Sequence, residues 1–348
     1  MMLYNKTELN KLAKELGFVR DTFEKLCRLA DILAYFESDS LLSNNLALKG
    51  GTAINVAFFD LPRLSVDIDM DYSSDIDVEY SKEASKNRML SDRVKINEHI
   101  KKYMTAQGYT LSEKSKNYHA LNSLVFEYIN AGGVKDNLKI EINYMNRSHV
   151  LPLSKQKINL PWSEKEISVL CVDPIEIFAT KTVALLNRSA PRDLFDMYNM
   201  VKTNQVDKSQ EQIYKKCVIF YSAVASEKVP EQFVFDNIGN INFQRIKTQL
   251  WPVLRHGEGF DLENAQRLIT DYLKEVLIPN EQELAFWAAF SRGDYKPELL
   301  FADPDILSRI NNHPMALWKC ANNKISASVK QISAEPEKDA DLGEHDDI

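Results

Sequence analysis

The chain has 348 residues, 44% hydrophobic and 27% charged, which is the balance of a folded protein large enough for a full core. No apolar run approaches the roughly 18 to 20 residues of a membrane helix, and Met1 to Lys11 lacks the charged-then-apolar pattern of a signal peptide. A cytoplasmic protein with no membrane partner is therefore expected. The formal charge of −7 is unfavourable for binding nucleic acid, but Glu335 to Ile348 holds seven acids and one lysine, so the remainder is nearly neutral and a local basic groove stays open.

In chain order, Thr7 to Ser38 predicts two helices, with Thr7 as N-cap, Gly17 as the stop, and Phe23, Leu26, Leu29, Ala30 and Leu33 at helical spacing. A short strand, Leu46 to Leu48, leads into the turn Gly50-Gly51-Thr52 and a helical stretch, Ala53 to Phe59. Ser65 to Tyr72 alternates polar and apolar residues with period two, which predicts a strand with one buried face. A long polar helix over Ser81 to Ala106 follows. Two strands, Asn122 to Tyr128 and Leu138 to Tyr144, are joined by the hairpin signal Gly132-Gly133. From Pro174 to about Asn322 the pattern is helical throughout, and the acidic tail carries no apolar periodicity and is expected to be disordered.

Cys27, Cys171, Cys217 and Cys320 form no CxxC pair, so they are expected to be reduced core thiols rather than zinc ligands or disulfides. His313 and the helically spaced Phe286, Trp287 and Phe290 are expected in the core.

The chemistry is concentrated in the strand Val66 to Tyr72. Its alternation sends Val66, Ile68 and Met70 to one face and Asp67, Asp69 and Asp71 to the other. Either this is a solvated acidic edge, or the repulsion within the row is relieved by a hard cation, Mg²⁺ or Mn²⁺. Upstream, Gly50, Gly51 and Thr52 make a turn whose backbone N–H groups can hold phosphate oxygens at a helix start. Gly51 is expected to allow the close approach and to take a positive φ. Glu141 stands on the polar face of a later strand, alternating with Ile140 and Ile142. If that strand pairs beside the first, Asp67, Asp69 and Glu141 converge as metal ligands for a two-metal site.

The run Leu48-Lys49-Gly50-Gly51-Thr52-Ala53, then Asp60 to Asp69 as DLPRLSVDID, resembles the AbiEii/AbiGii family of nucleotidyltransferase toxins, which includes the MenT-like toxins of the DNA polymerase β-like superfamily. A second pattern of that family follows as Lys181-Thr182-Val183-Ala184, Arg188, Arg192-Asp193 and Asp196. The resemblance implies an α+β polymerase β-like core at residues 41–172, N-terminal helices at 1–40, a helical domain at 173–325 and a tail at 326–348. It further implies a type IV toxin with a cognate AbiEi-like antitoxin, transferring a nucleotide from an NTP to RNA, at the tRNA 3′ end, and so blocking translation. Catalysis would rest on Asp67, Asp69, Glu141, Lys181 and Asp193, with Gly50, Gly51, Thr52, Ser65 and Lys181 on the nucleotide. Asp193 would serve as a base or as a brace for Lys181. Arg188 and Arg192 would hold RNA, and Asp196 would orient Lys181 and the arginines. Lys181 and Arg188 are expected on one helix face. The alternatives are a small-molecule or protein acceptor, or an inactive fold that binds RNA or a partner protein; the retained carboxylates argue against the last.

Overall fold

The computed structural model describes residues 4–73 and 82–334. The acidic tail from Glu335 lies outside the described residues. Among the described residues eight strands form one mixed sheet: β1 (Leu46–Leu48), β2 (Asp67–Tyr72), β3 (Thr110–Leu111), β4 (Lys116–Asn117), β5 (Leu121–Ile129), β6 (Lys135–Asn143), β7 (Ser154–Lys157) and β8 (Ser168–Cys171). Their order is β3-β5-β6-β2-β1-β8-β7, with β4 beside β5. The sheet and the helical half share the α+β plan expected of a polymerase β-like core.

The central strands owe their place to burial. All three residues of β1 are inaccessible, which suits a strand covered on both faces, whereas β5 and β6 alternate inward and outward residues and face solvent on one side. β2 runs antiparallel to β1 and parallel to β6, with Asp69 opposite Glu141 and Asp67 opposite Lys139. The β5–β6 hairpin turns through Asn130 to Val134, where Gly133 has φ 80°.

Helices α1 (Lys6–Leu16), α2 (Arg20–Ser38) and α3 (Ser40–Asn45) precede the sheet. The N-cap of α1 is Asn5 rather than Thr7: two positions upstream, its side chain accepts from the backbone N–H groups of Thr7 and Glu8. Gly17 does end the helix, in the left-handed conformation. The turn after β1 winds into α4 (Gly50–Ala53) and continues as a wide π-turn, Ile54–Phe58. β2 begins at Asp67, so Ser65 precedes the strand instead of lying in it; the segment before it is held by the backbone of Val253 and by an Arg63–Leu254 bridge. After α5 (Lys82–Ala106) the periodicity missed β3, β4, β7 and β8, which are two to four residues long and mostly exposed on at least one side.

The helical half starts with α6 (Pro174–Asn187), α7 (Pro191–Lys202) and α8 (Glu211–Ala225). Its apolar residues join those of the sheet and the N-terminal helices in a single core that runs from Leu9 to Cys320. The four cysteines are buried and free, and Phe286, Trp287, Phe290 and His313 lie in this core. Burial pushes His313 down to about 3, so it is neutral.

A buried polar clamp joins α6 to the loop after β6. Glu176 receives the backbone N–H of Leu151 at 2.9 Å, pairs with His149 Nδ1 at 2.9 Å and accepts the Tyr221 hydroxyl. Burial would raise the Glu176 pKa, but His149 and these hydrogen bonds outweigh it and hold the carboxyl low. Burial would likewise depress His149, yet the Glu176 charge outweighs it and raises the imidazole above its ordinary value. The sign follows. The histidine contributes stability that is complete below about 6.5 and lost as pH rises through its raised value; the glutamate contributes above about 4.5 and loses its share as pH falls through its depressed value. The pair should therefore support the fold most between those limits. Glu176→Gln should flatten the pH dependence of unfolding measured by urea titration, and an unchanged profile would mean that the pair is energetically silent.

Candidate active site

The parallel pairing of β2 with β6 gathers the acids. Asp69 and Glu141 are direct neighbours across the ladder, and Asp67 lies on the same face two positions along. Lys139 stands among them, its Nζ 3.3 Å from Glu141 and 3.9 Å from Asp67. Burial opposes the charge on Lys139, but Asp67 and Glu141 outweigh it and raise its pKa. Asp71 does not share the cluster: it is buried and bound by Lys49 Nζ at 2.5 Å. The expected row of three repelling acids on β2 is thus a pair, with the third member neutralised by the lysine that ends β1.

Asp69 carries the electrostatic strain. Burial raises its pKa, and the charges of Asp67 and Glu141 add to that, while Lys49 and Lys181 oppose without cancelling it. Among the described residues no three His, Cys, Asp or Glu side chains are drawn together as a preformed metal cage. The donor set nevertheless fits a hard divalent cation: three carboxylates on two paired strands, one with an undercompensated charge, and no soft ligand nearby.

The glycine turn is built against this cluster. Gly50, not Gly51, has the positive φ, 68°, and a Cβ on it would stand 3.0 Å from Asp69 Oδ2. Gly51 is needed for another reason: its missing Cβ leaves room for the Arg63 guanidinium, whose Nη2 would lie 2.6 Å from that atom. The Thr52 hydroxyl donates to the Asp67 carbonyl and is hydrogen-bonded to Ser65 Oγ, which can donate in turn. Both are buried, so they set the spacing between the turn and β2. Lys49 precedes α4 as its N-cap in extended backbone, and as a lysine it can offer no acceptor to the first N–H groups of that helix.

Arg63 was not singled out from the sequence, although the motif contains it. It is 1% exposed and meets Asp196 side on, Nε to Oδ1 at 2.7 Å and Nη2 to Oδ2 at 2.6 Å. Its signal was an arginine between apolar neighbours, Leu61, Pro62 and Leu64, which is where a buried rather than a solvated cation would sit. The backbone before it turns through Leu61 at φ 47°, a strained conformation for leucine.

Asp196 passes this contact on. Its Oδ2 is also 3.2 Å from Lys181 Nζ, which lies 2.8 Å from Asp193 Oδ1. Arg188 closes the chain on Asp193 Oδ2 at 2.9 Å. Arg188 is not on α6 but just past its end, in extended backbone, so it meets Lys181 through their shared acid instead of along a helix face. Burial and Arg63 oppose the Lys181 charge, but Asp193 and Asp196 outweigh them and raise its pKa. Asp193 is held low: burial acts against this, and Lys181 and Arg188 prevail. Arg192 donates from Nε to the Gln249 carbonyl at 2.9 Å.

A family model described as nucleotidyl transferase AbiEii toxin, type IV TA system, matches residues 31–290. The chain belongs to the AbiEii family of type IV toxin–antitoxin nucleotidyltransferases. Among solved structures it is similar to MenT4, the nucleotidyltransferase toxin Rv2826c from Mycobacterium tuberculosis H37Rv. That likeness has a TM-score of 0.57 at 13% identity and covers 90% of this chain and 99% of the other, which speaks for a shared fold. No curated protein is significantly similar in sequence. Among the described residues of this AbiEii member, no helix is long and apolar enough to cross a membrane.

Arg63→Met should leave the buried Asp196 with Lys181 as its remaining cation and cost about 3–5 kcal/mol in unfolding free energy. The double variant Arg63→Met, Asp196→Leu should recover most of that stability, because a matched apolar pair replaces a matched ionic one. Recovery failing in a double-mutant cycle would mean that the two residues do not act as a pair.

Proposed function

We propose that this toxin transfers a nucleotide from an NTP to an RNA acceptor, at the tRNA 3′ end, and thereby blocks translation under the control of an AbiEi-like antitoxin. The observation that carries the proposal is the alignment of Asp69 with Glu141, beside Asp67 and against the Gly50-Gly51 turn. Mg²⁺ or Mn²⁺ held by these three carboxylates would steady the triphosphate and lower the pKa of the attacking hydroxyl.

The chain's own groups take the remaining tasks. The backbone N–H groups at the start of α4 receive phosphate oxygens, and Gly50 keeps the approach clear of a side chain. Lys181, charged and fixed by two carboxylates, is near enough to Asp69 to lower its pKa, and it faces the leaving pyrophosphate as a point charge. A carboxylate held low by two cations makes a poor base near neutral pH, so Asp193 acts as the brace of Lys181 and not as the proton acceptor. Arg188, with its guanidinium largely exposed, and Arg192 supply cationic contacts for RNA phosphates. Asp196 is the link that orients Lys181 and Arg63 together.

The test is incubation of the protein with total RNA and each α-labelled NTP in turn. Label should enter the tRNA fraction with added Mg²⁺ or Mn²⁺. Asp67→Asn and Asp69→Asn should abolish it while leaving the melting temperature unchanged or slightly raised, since each relieves like-charge repulsion. Near-wild-type transfer by either variant would remove the carboxylates from the chemistry, and label entering only a small molecule or protein would replace the acceptor.

A further inference from the structure

From Asn237 to Gly257 the chain carries Arg245, Lys247 and Arg255 and no aspartate or glutamate, in a protein whose formal charge is −7. In the middle of this stretch, Phe243 and Trp251 are 59% and 44% exposed. Their rings meet edge to face with centroids 5.2 Å apart. Ile246 and Leu250, from the turns between them, take up the core positions, so the two aromatics are left outside by the winding of the backbone. That winding is a π-helix, Ile246–Leu250, running into a tight turn, Trp251–Val253. Such wide turns recur where a surface has been shaped for a ligand.

The stretch borders the acidic site. Gln249 accepts from Arg192 at 2.9 Å, Val253 accepts from the backbone of Leu64 at 2.7 Å, and Leu254 bridges Arg63. Arg192 is thus a cation of the site that touches the aromatic stretch directly, through its hydrogen bond to Gln249.

We propose that Phe243 and Trp251 are a stacking platform for bases at the single-stranded 3′ end of the RNA acceptor, with Lys247 and Arg245 on its phosphates. The assignment rests on the reading of the acceptor as RNA. Unpaired bases stack on aromatic rings whatever their sequence, and a cationic border holds the strand to them. The border here is Asn242, Gln244, Lys247, Thr248 and Gln249, exposed, free of acids and positive, which suits a polyanionic strand. Arg192, bound to the Gln249 carbonyl, lies beside this platform as a further cation for the strand.

The test uses the full chain and a fluorescently labelled, single-stranded oligoribonucleotide with a free 3′-hydroxyl. Binding is read by anisotropy without nucleotide, and transfer of labelled NTP is followed in parallel. Trp251→Ala and Phe243→Ala should each weaken binding by about 5- to 100-fold, whereas Trp251→Phe, which keeps a ring, should stay within about threefold of wild type. Both rings are exposed, so melting temperatures should not move, and kcat at saturating RNA and KM for NTP should hold. Alanine variants that bind the oligonucleotide like wild type would overturn the platform, even if wild type transfers nucleotide to RNA. Binding that depends on Trp251 without any transfer would keep the platform and remove the transfer reading. A wild-type protein that does not bind the oligonucleotide, or alanine variants that lose only the binding of a protein partner, would also overturn it.

Discussion

The buried Arg63–Asp196 pair is the constraint around which the rest of the site is arranged. Its two atoms on each side come from segments 133 residues apart, the loop before β2 and the helix α7. A guanidinium and a carboxylate removed from water are costly to hold, and only side-on geometry with further hydrogen bonds offsets that cost. Arg63 meets the condition through a third bond, from Nη1 to the Leu64 carbonyl, and Asp196 through Lys181. The glycine at position 51 follows from the same pair, since any side chain there would occupy the place of the guanidinium. One ion pair thus sets the Gly50-Gly51 turn, the strand behind it and the lysine opposite.

The second constraint is strand register. With period two, a slip of one residue between β2 and β6 would turn Asp67 and Asp69 into the core and Ile68 and Met70 to the surface. Ile68 opposite Ile140 and Met70 opposite Ile142 forbid that slip, because all four are buried. The apolar face therefore aligns Asp69 with Glu141. Stability and chemistry are properties of the two faces of the same ladder.

The strands that carry the acids were legible in the sequence because a half-buried strand announces itself by alternation, as in Val66 to Met70 and Leu138 to Ile142. So was the change to helix at Pro174, where a proline opens α6. The short strands β3, β4, β7 and β8 were not legible: two to four residues do not establish a period, and their partners, not their composition, make them strands. The candidate site residues could be named from their motifs, but not their pairings. Nothing local tells that Lys49 takes Asp71 out of the acidic row, that Arg188 leaves its helix to meet Asp193, or that Gly51 makes room for Arg63. Those facts belong to contacts between segments far apart in the chain. The caps show the same limit at short range, since Asn5 and Thr7 are both acceptable N-caps and only the backbone path chooses between them.

The central claim is that Asp67, Asp69 and Glu141 act together on one face of the sheet as ligands for a divalent cation. It is tested most directly by Mn²⁺ titration followed by electron paramagnetic resonance, with no substrate present. Wild type should take up Mn²⁺, and Asp69→Asn and Glu141→Gln should each weaken uptake by about tenfold or more, as expected when a carboxylate ligand becomes an amide. Equal Mn²⁺ uptake by wild type and by both variants would contradict the account.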